Sequence, residues 1–281
     1  MMQKKNLYKI ELPTVPQVAL KLHSMLNDTN INLQKIEEII LADQSLTAKI
    51  LKIANSAFYG LRKKVHLVSE AINVLGFNTL RNILLIATIK EVYKVFGLIE
   101  KKIWEHGVGV SLVSGILTDF VPLIKKDEAN LAGLLHDIGK IIINNHFPED
   151  YVNCVNIVNK NKIPFVDAER EIFGFDHAKA GGMLAEKWGF VEELKTVLLN
   201  HHNLEYIKKC EDIHEKSLLL IVALADSICT RLGVGYKDSM PELVKDESEI
   251  MAILGFNKKD YSNVVNLFID SFPTYLDSFM D

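Results

Sequence analysis

Seven residues of this 281-residue chain stand in an order suited to holding cations: His106, His136 with Asp137, His177, the pair His201-His202, and Asp226. Imidazole nitrogens and carboxylate oxygens are the donors of Fe, Mn, Zn and Ni centres, and the donor list does not choose among these metals. His136 and Asp137 are flanked by Leu134, Leu135 and Ile138. Burial in such a stretch makes a carboxylate costly unless it is paired or metal-bound. An adjacent imidazole and carboxylate reach one cation, and the carboxylate can bridge two. Lys140 follows His136 by one helical turn, which puts both on one face and lets the amine meet an anion held at the metal. Asp226 ends the apolar run 218–225, so its carboxylate faces an interior that calls for a cation.

Each residue also fits a plainer role. His136 and Asp137 fit a hydrogen-bonded pair inside a helix, and the dipeptide alone favours that reading. His201-His202 after Val197-Leu198-Leu199 fits a helix C-terminus, where imidazolium is favoured. Asp226 fits an ion pair with Arg231, His106 a satisfied core histidine, and His177 a first helical residue beside a capping Asp176. His23, His66, His146 and His214 lack such company and read as ordinary surface or core histidines. Gly181-Gly182 reads as a close helix contact, since no strand precedes it.

The elements that must position these residues are helical. Apolar residues recur at helical spacing at Val18, Leu22, Met25 and Leu26, at Ile36, Ile39 and Ile40, and at Leu46, Ile50 and Leu51, with a break near Asp43-Gln44. Further helices are predicted over 79–95, 103–119, 128–144, 148–161, 176–188, 191–201 and 217–232, with an irregular stretch near 61–68. Strand-like alternation is nearly absent. The fold class read from this is all-α, a multi-helix domain preceded by an N-terminal helical lobe. Composition seams near 97–102 and 233–242 divide it into 8–97, 98–232 and a C-terminal helical extension 233–281. The N-terminal part, 12–96, is expected to hold no catalytic residue; Asp43, Asn55 and Ser56 there suit caps and helix–helix hydrogen bonds.

Composition narrows the function classes. The formal net charge is −4 and the mean hydropathy +0.12. A mildly acidic chain does not suit dedicated nucleic-acid binding, which wants a basic face. The longest apolar runs fall far short of the roughly 20 residues that span a bilayer, and the N-terminus has no apolar signal core. A cytoplasmic location away from membranes is expected. Cys154, Cys210 and Cys229, odd in number and widely spaced, suggest neither disulfides nor a cysteine metal site.

The ordered set H…HD…H…HH…D resembles the HD superfamily of metal-dependent phosphohydrolases, and within it the HDOD branch, the HD-related output domain of bacterial signalling. Leu12-Pro13-Thr14-Val15-Pro16 is similar to that family's opening. Residues 42–60, ending Ala54-Asn55-Ser56-Ala57-Phe58-Tyr59-Gly60, resemble its most distinctive block, with Gln44 where a proline is common. Ser69-Glu70-Ala71-Ile72-Asn73-Val74-Leu75-Gly76 and Phe175-Asp176-His177 with Gly181 and Trp188 resemble its later blocks.

The resemblance implies one metal site at His106, His136, Asp137 and Asp226. It implies a second at His177, His201 and His202 sharing Asp137, with Lys140 facing a substrate phosphate. It also implies two divalent ions, a protein partner in a signalling pathway, and a nucleotide or phosphodiester as ligand. Two departures from the related HD-GYP phosphodiesterases weigh against a third metal and a cyclic di-GMP substrate. Asn203-Leu204-Glu205-Tyr206-Ile207 lacks the Gly-Tyr-Pro signature, and Lys102 stands where a glutamate can precede the first histidine. Three functions follow: a metal-binding regulator whose output passes through another chain, an active phosphohydrolase with Asp137 and Lys140 catalytic, or a helical scaffold with relict histidines.

Overall fold

The structure is a computed structural model, and it describes residues 5, 7–14, 33–55, 61–76, 80, 89, 92–93, 96–236, 238–244 and 246–280. The helices expected over 18–26 and 79–95, His23, and the Ser56–Gly60 part of the family block lie wholly or largely outside these residues.

No strand occurs among the described residues, so the all-α class holds. The helices are α1 (Leu33–Leu41), α2 (Gln44–Ala54), α3 (Val68–Leu75), α4 (Leu98–Leu117), α5 (Lys126–Leu135), α6 (Ile138–His146), α7 (Pro148–Asn161), α8 (Phe165–Phe173), α9 (His177–Trp188), α10 (Glu192–Asn200), α11 (Leu204–Lys209), α12 (Ile213–Leu232), α13 (Glu247–Leu254) and α14 (Lys258–Met280). Two compact units result: Met1–Pro13 with Tyr93–Phe272, and Thr14–Val92 with Pro273–Asp281.

In the larger unit, α4 packs against α5 and α12. From Gly107 to Leu117 every residue of α4 is buried, and so is every residue of α12 from Leu218 to Ala225. Helices apolar on all sides belong at a centre, because no face prefers water. α9 packs chiefly against α6 and α10, and more sparsely against α8. Gly182 belongs to that packing, since a Cβ there would lie 2.2 Å from Leu199 Cδ2.

In the smaller unit Ala54, Val65 and Ala71 form a core joined by Leu51 and Leu61. Asn55, just past α2, ties this core together. Its amide donates to Leu51 O and Val65 O, both at 2.8 Å, and its oxygen accepts from Val65 N–H at 2.8 Å. Asp43 accepts from Leu46 N–H at 3.0 Å, which explains the break between α1 and α2.

One expected element is corrected. The helix predicted over 128–144 is two helices, broken at His136 and Asp137. Asp137 adopts φ −100° and ψ 9°, and Lys140 N–H bonds Asp137 O three residues back. Apolar spacing continues on both sides of the break, so periodicity could not reveal it. Past the break, α6 approaches the start of α9 closely. A Cβ on Gly139 would lie 1.9 Å from His177 O.

Candidate metal centre

The break places His136 at the end of α5 and Asp137 at the start of α6. The Asp137 side chain caps no backbone amide and turns inward. His106 comes from mid-α4, His177 opens α9, His201 ends α10 with His202 beside it, and Asp226 comes from α12. Asp176 accepts from Lys179 N–H at 3.0 Å, so it is the N-cap that starts α9 beside His177.

The structure brings all seven candidate ligands together. Asp137 Oδ2 lies 3.3 Å from His136 Nε2 and 3.8 Å from His106 Nε2. Asp137 Oδ1, on the other side, lies 3.1 Å from His177 Nε2 and 3.9 Å from His201 Nε2. Asp226 Oδ1 is 3.0 Å from His106 Nε2 and 3.9 Å from His136 Nε2. His202 Nε2 sits 3.1 Å from His177 Nε2, and its Nδ1 is 3.8 Å from Asp226 Oδ2. His106, His136, Asp137, His177 and His201 are buried, whereas His202 reaches the surface.

The far ring nitrogens determine what the near ones offer. His106 Nδ1 is 2.9 Å from Val234 O, His136 Nδ1 2.7 Å from Gly133 O, and His201 Nδ1 3.0 Å from Val197 O. His177 Nδ1 is 2.6 Å from Glu169 Oε2. Carbonyl and carboxylate oxygens only accept, so each Nδ1 carries a proton and donates. In the neutral rings the Nε2 atoms are then lone pairs, all aimed at carboxylate oxygens or at one another. Lone pairs facing carboxylates at 3–4 Å repel unless a metal ion, or a proton on the ring, lies between them. His136 Nε2 and Asp137 Oδ1 are buried without a hydrogen-bond partner, the latter despite the nearby His177 ring. Polar atoms orphaned in this way, with second nitrogens tied to backbone or acid, form the arrangement that metal-ligating histidines adopt. The donor set therefore fits divalent ions.

In the metal-free chain charge pairs do part of this work. Burial opposes ionisation of Asp137, but His136, Lys140 and His177 outweigh it and hold the carboxyl well below the usual range. Burial also opposes the charge on Asp226, and His106, His136 and His202 together outweigh it, so its carboxyl is held below the usual range. Burial pulls His136 down while Asp137 pulls it up more strongly, so the net direction is upward. His201 goes the other way: burial, then the charges of His136 and His177, push it down to about 3.

Lys140 does not share a helix with His136, because the break intervenes. Its amine lies 2.6 Å from Asp137 Oδ2 and 4.5 Å from the centre of the Phe165 ring. Lys140, Phe165, His202, Asp226 and Tyr236 line a cleft of about 250 Å³ that opens onto the centre. The ion pair weighed for Asp226 with Arg231 is not formed; Arg231 pairs with Glu247. His146 donates to Ile142 O, and His214 lies 3.4 Å from Glu128, both away from the centre. All three cysteines are free.

Sequence reasoning missed Glu169 and Tyr236. Glu169 is a fully buried acid on the inner face of α8, which it shares with Val166, Ile172 and Phe173, in a helix the periodicity left unassigned. Tyr236 lies beyond the last predicted helix, with its ring edge-on to His106 at 5.6 Å.

The comparisons agree with this architecture. A protein from Treponema pallidum (strain Nichols) is 24% identical over 217 residues, which is 77% of this chain and 42% of that protein. The chain thus spans less than half the length of that relative. The crystal structure of an HDOD domain protein of unknown function from Geobacter sulfurreducens is 26% identical, with a TM-score of 0.74 over 96% of this chain and 92% of the other. A Shewanella amazonensis SB2B protein provisionally named a phosphohydrolase shares the fold at a TM-score of 0.73 and 23% identity, over 97% and 96% of the two chains. The HDOD domain model matches residues 12–204, from the Leu12-Pro13 opening through the paired histidines, and the chain belongs to the HDOD domain family.

Proposed function

We propose that this chain is a bacterial, cytoplasmic signalling regulator that retains a dinuclear HD-type metal centre and acts through a protein partner. His106, His136, Asp137 and Asp226 hold one divalent ion. His177, His201 and His202 hold the second, and Asp137 is shared. The observation that carries this reading is the convergence of four Nε2 lone pairs, each fixed by its Nδ1–H, on the two oxygens of one buried carboxylate. The three-part division into 8–97, 98–232 and 233–281 is kept as part of the proposal, with the metal centre in the middle part. Elemental analysis of protein purified without chelator tests it. About two ions per chain are expected from two such groups, and a metal-free product overturns the reading.

The cleft favours a second reading, a metal-dependent phosphohydrolase acting on a nucleotide or another phosphodiester. Divalent ions in such a centre supply an activated water and neutralise phosphoryl charge. The chain's own contribution is then positional. Asp137 would orient both halves through its two oxygens. Lys140, at the cleft wall, would direct its amine toward a bound phosphate, where a cation stabilises developing negative charge. A screen of phosphodiesters and nucleotides with several divalent metals separates the readings; inactivity under every condition leaves the regulator.

A further inference from the structure

Four of the five imidazoles at the centre have an Nδ1 held by the protein, and their supports are not equivalent. His106, His136 and His201 rest on backbone carbonyls, whereas His177 rests on the carboxylate of Glu169. Glu169 Oε2 accepts twice from that residue, from the ring Nδ1–H at 2.6 Å and from the backbone N–H at 2.8 Å. Glu169 is fully buried, and its Oε1 has no hydrogen-bond partner. A buried acid with one oxygen unpaired is costly, so its presence calls for a function. Satisfying the His177 backbone amide does not account for a full charge there, because α9 already has its N-cap in Asp176, which accepts from Lys179 N–H and is neutralised by Arg170 at 2.6 Å. The start of α9, with its positive dipole end, favours the Glu169 charge.

Resting on the metal reading above, we infer that Glu169 is a positioning residue that holds His177 in its Nδ1–H form and makes it the most electron-rich imidazole of the centre. A carboxylate draws the N–H proton more strongly than a carbonyl does, which raises the donor strength of the opposite nitrogen. Its charge also offsets that of a dication held by Asp137, His177, His201 and His202. This half of the centre therefore binds its ion more tightly than it would with a neutral acceptor behind His177.

The test is calorimetric titration of the full, chelator-treated chain with Mn²⁺. Glu169→Gln keeps the length and an acceptor oxygen but removes the charge. One of two binding steps is expected to weaken by about 10- to 100-fold, with the other unchanged. Asp226→Asn is expected to weaken the other step, which assigns the two. Melting of metal-free Glu169→Gln should be unchanged or higher, because a buried charge has gone. Wild-type affinity at both steps in Glu169→Gln overturns the inference alone. So does weakened binding accompanied by lower metal-free melting, which marks a structural role. A wild-type chain that takes up no Mn²⁺ removes the metal reading and this inference with it.

Discussion

Asp137 faces a different set of groups with each oxygen. Oδ2 meets His136, His106 and the Lys140 amine, and Oδ1 meets His177 and His201. Asp137→Ala removes the one donor common to both halves, so metal content measured by elemental analysis should fall sharply in a protein that still folds. Undiminished metal would contradict the shared-ligand geometry. Lys140→Met separates the lysine's two roles. Metal content should persist, since Lys140 donates no lone pair, while any phosphodiesterase turnover should drop by about 10²–10³-fold through loss of charge stabilisation. Turnover equal to wild type would reduce Lys140 to a partner of Asp137. His201 carries a pH prediction. Its folded pKa of about 3 lies below the unfolded value of about 6.5, so the unfolded chain binds the proton more readily. Stability from the neutral ring is complete above about pH 6.5 and is lost as pH falls toward 3. Metal-free His201→Asn should therefore show a flatter stability–pH curve across that window in urea denaturation. Curves of equal slope would remove His201 from the acid response.

At the scale of elements, the centre depends on the junction of α5 and α6 and on its contact with α9. Gly139 permits that contact, with no room for a Cβ against His177 O. Gly139→Ala must push α6 from α9, separating Asp137 from His177. Overpacking of this kind costs about 1–3 kcal/mol, and metal uptake should fall with it. Calorimetry and thermal melting on the same sample check both, and normal metal binding would show that the junction tolerates displacement. α4 supplies His106 beside its fully buried stretch 107–117, and α12 supplies Asp226 just after its buried run 218–225, so both candidate ligands are anchored by packed helix segments.

For the whole molecule, the metal candidates all fall in the larger unit, and the distinctive Asn55 block in the smaller. Asn55 makes three hydrogen bonds that close the α2–Val65 segment. Asn55→Ala leaves the Val65 carbonyl and amide short of partners, at about 1–3 kcal/mol. Its stability should drop in denaturant titration while the metal content of the folded fraction stays at the wild-type value. A folded Asn55→Ala protein without metal would tie the centre to the smaller unit. No helix among the described residues is long and apolar enough to cross a membrane.

Residue types alone determined the helical class and the donor set, since apolar spacing of 3.6 and the order of His and Asp are properties of the chain in one dimension. The ends of α7 and α9 were legible too, because Pro148 and the Asp176 cap act on the residues next to them. Only the tertiary structure decided the rest. The break at His136-Asp137 interrupts a pattern that stays helical on both sides, and it accompanies the close approach of α9 to Gly139. Arg231 takes Glu247 rather than Asp226, and Glu169 meets His177, because helix packing and not sequence distance sets which charges become neighbours. His106 is 120 residues from Asp226, yet 3.0 Å from it. Local sequence specifies helices and their faces; the pairing of acid with imidazole awaits the burial of those faces against one another.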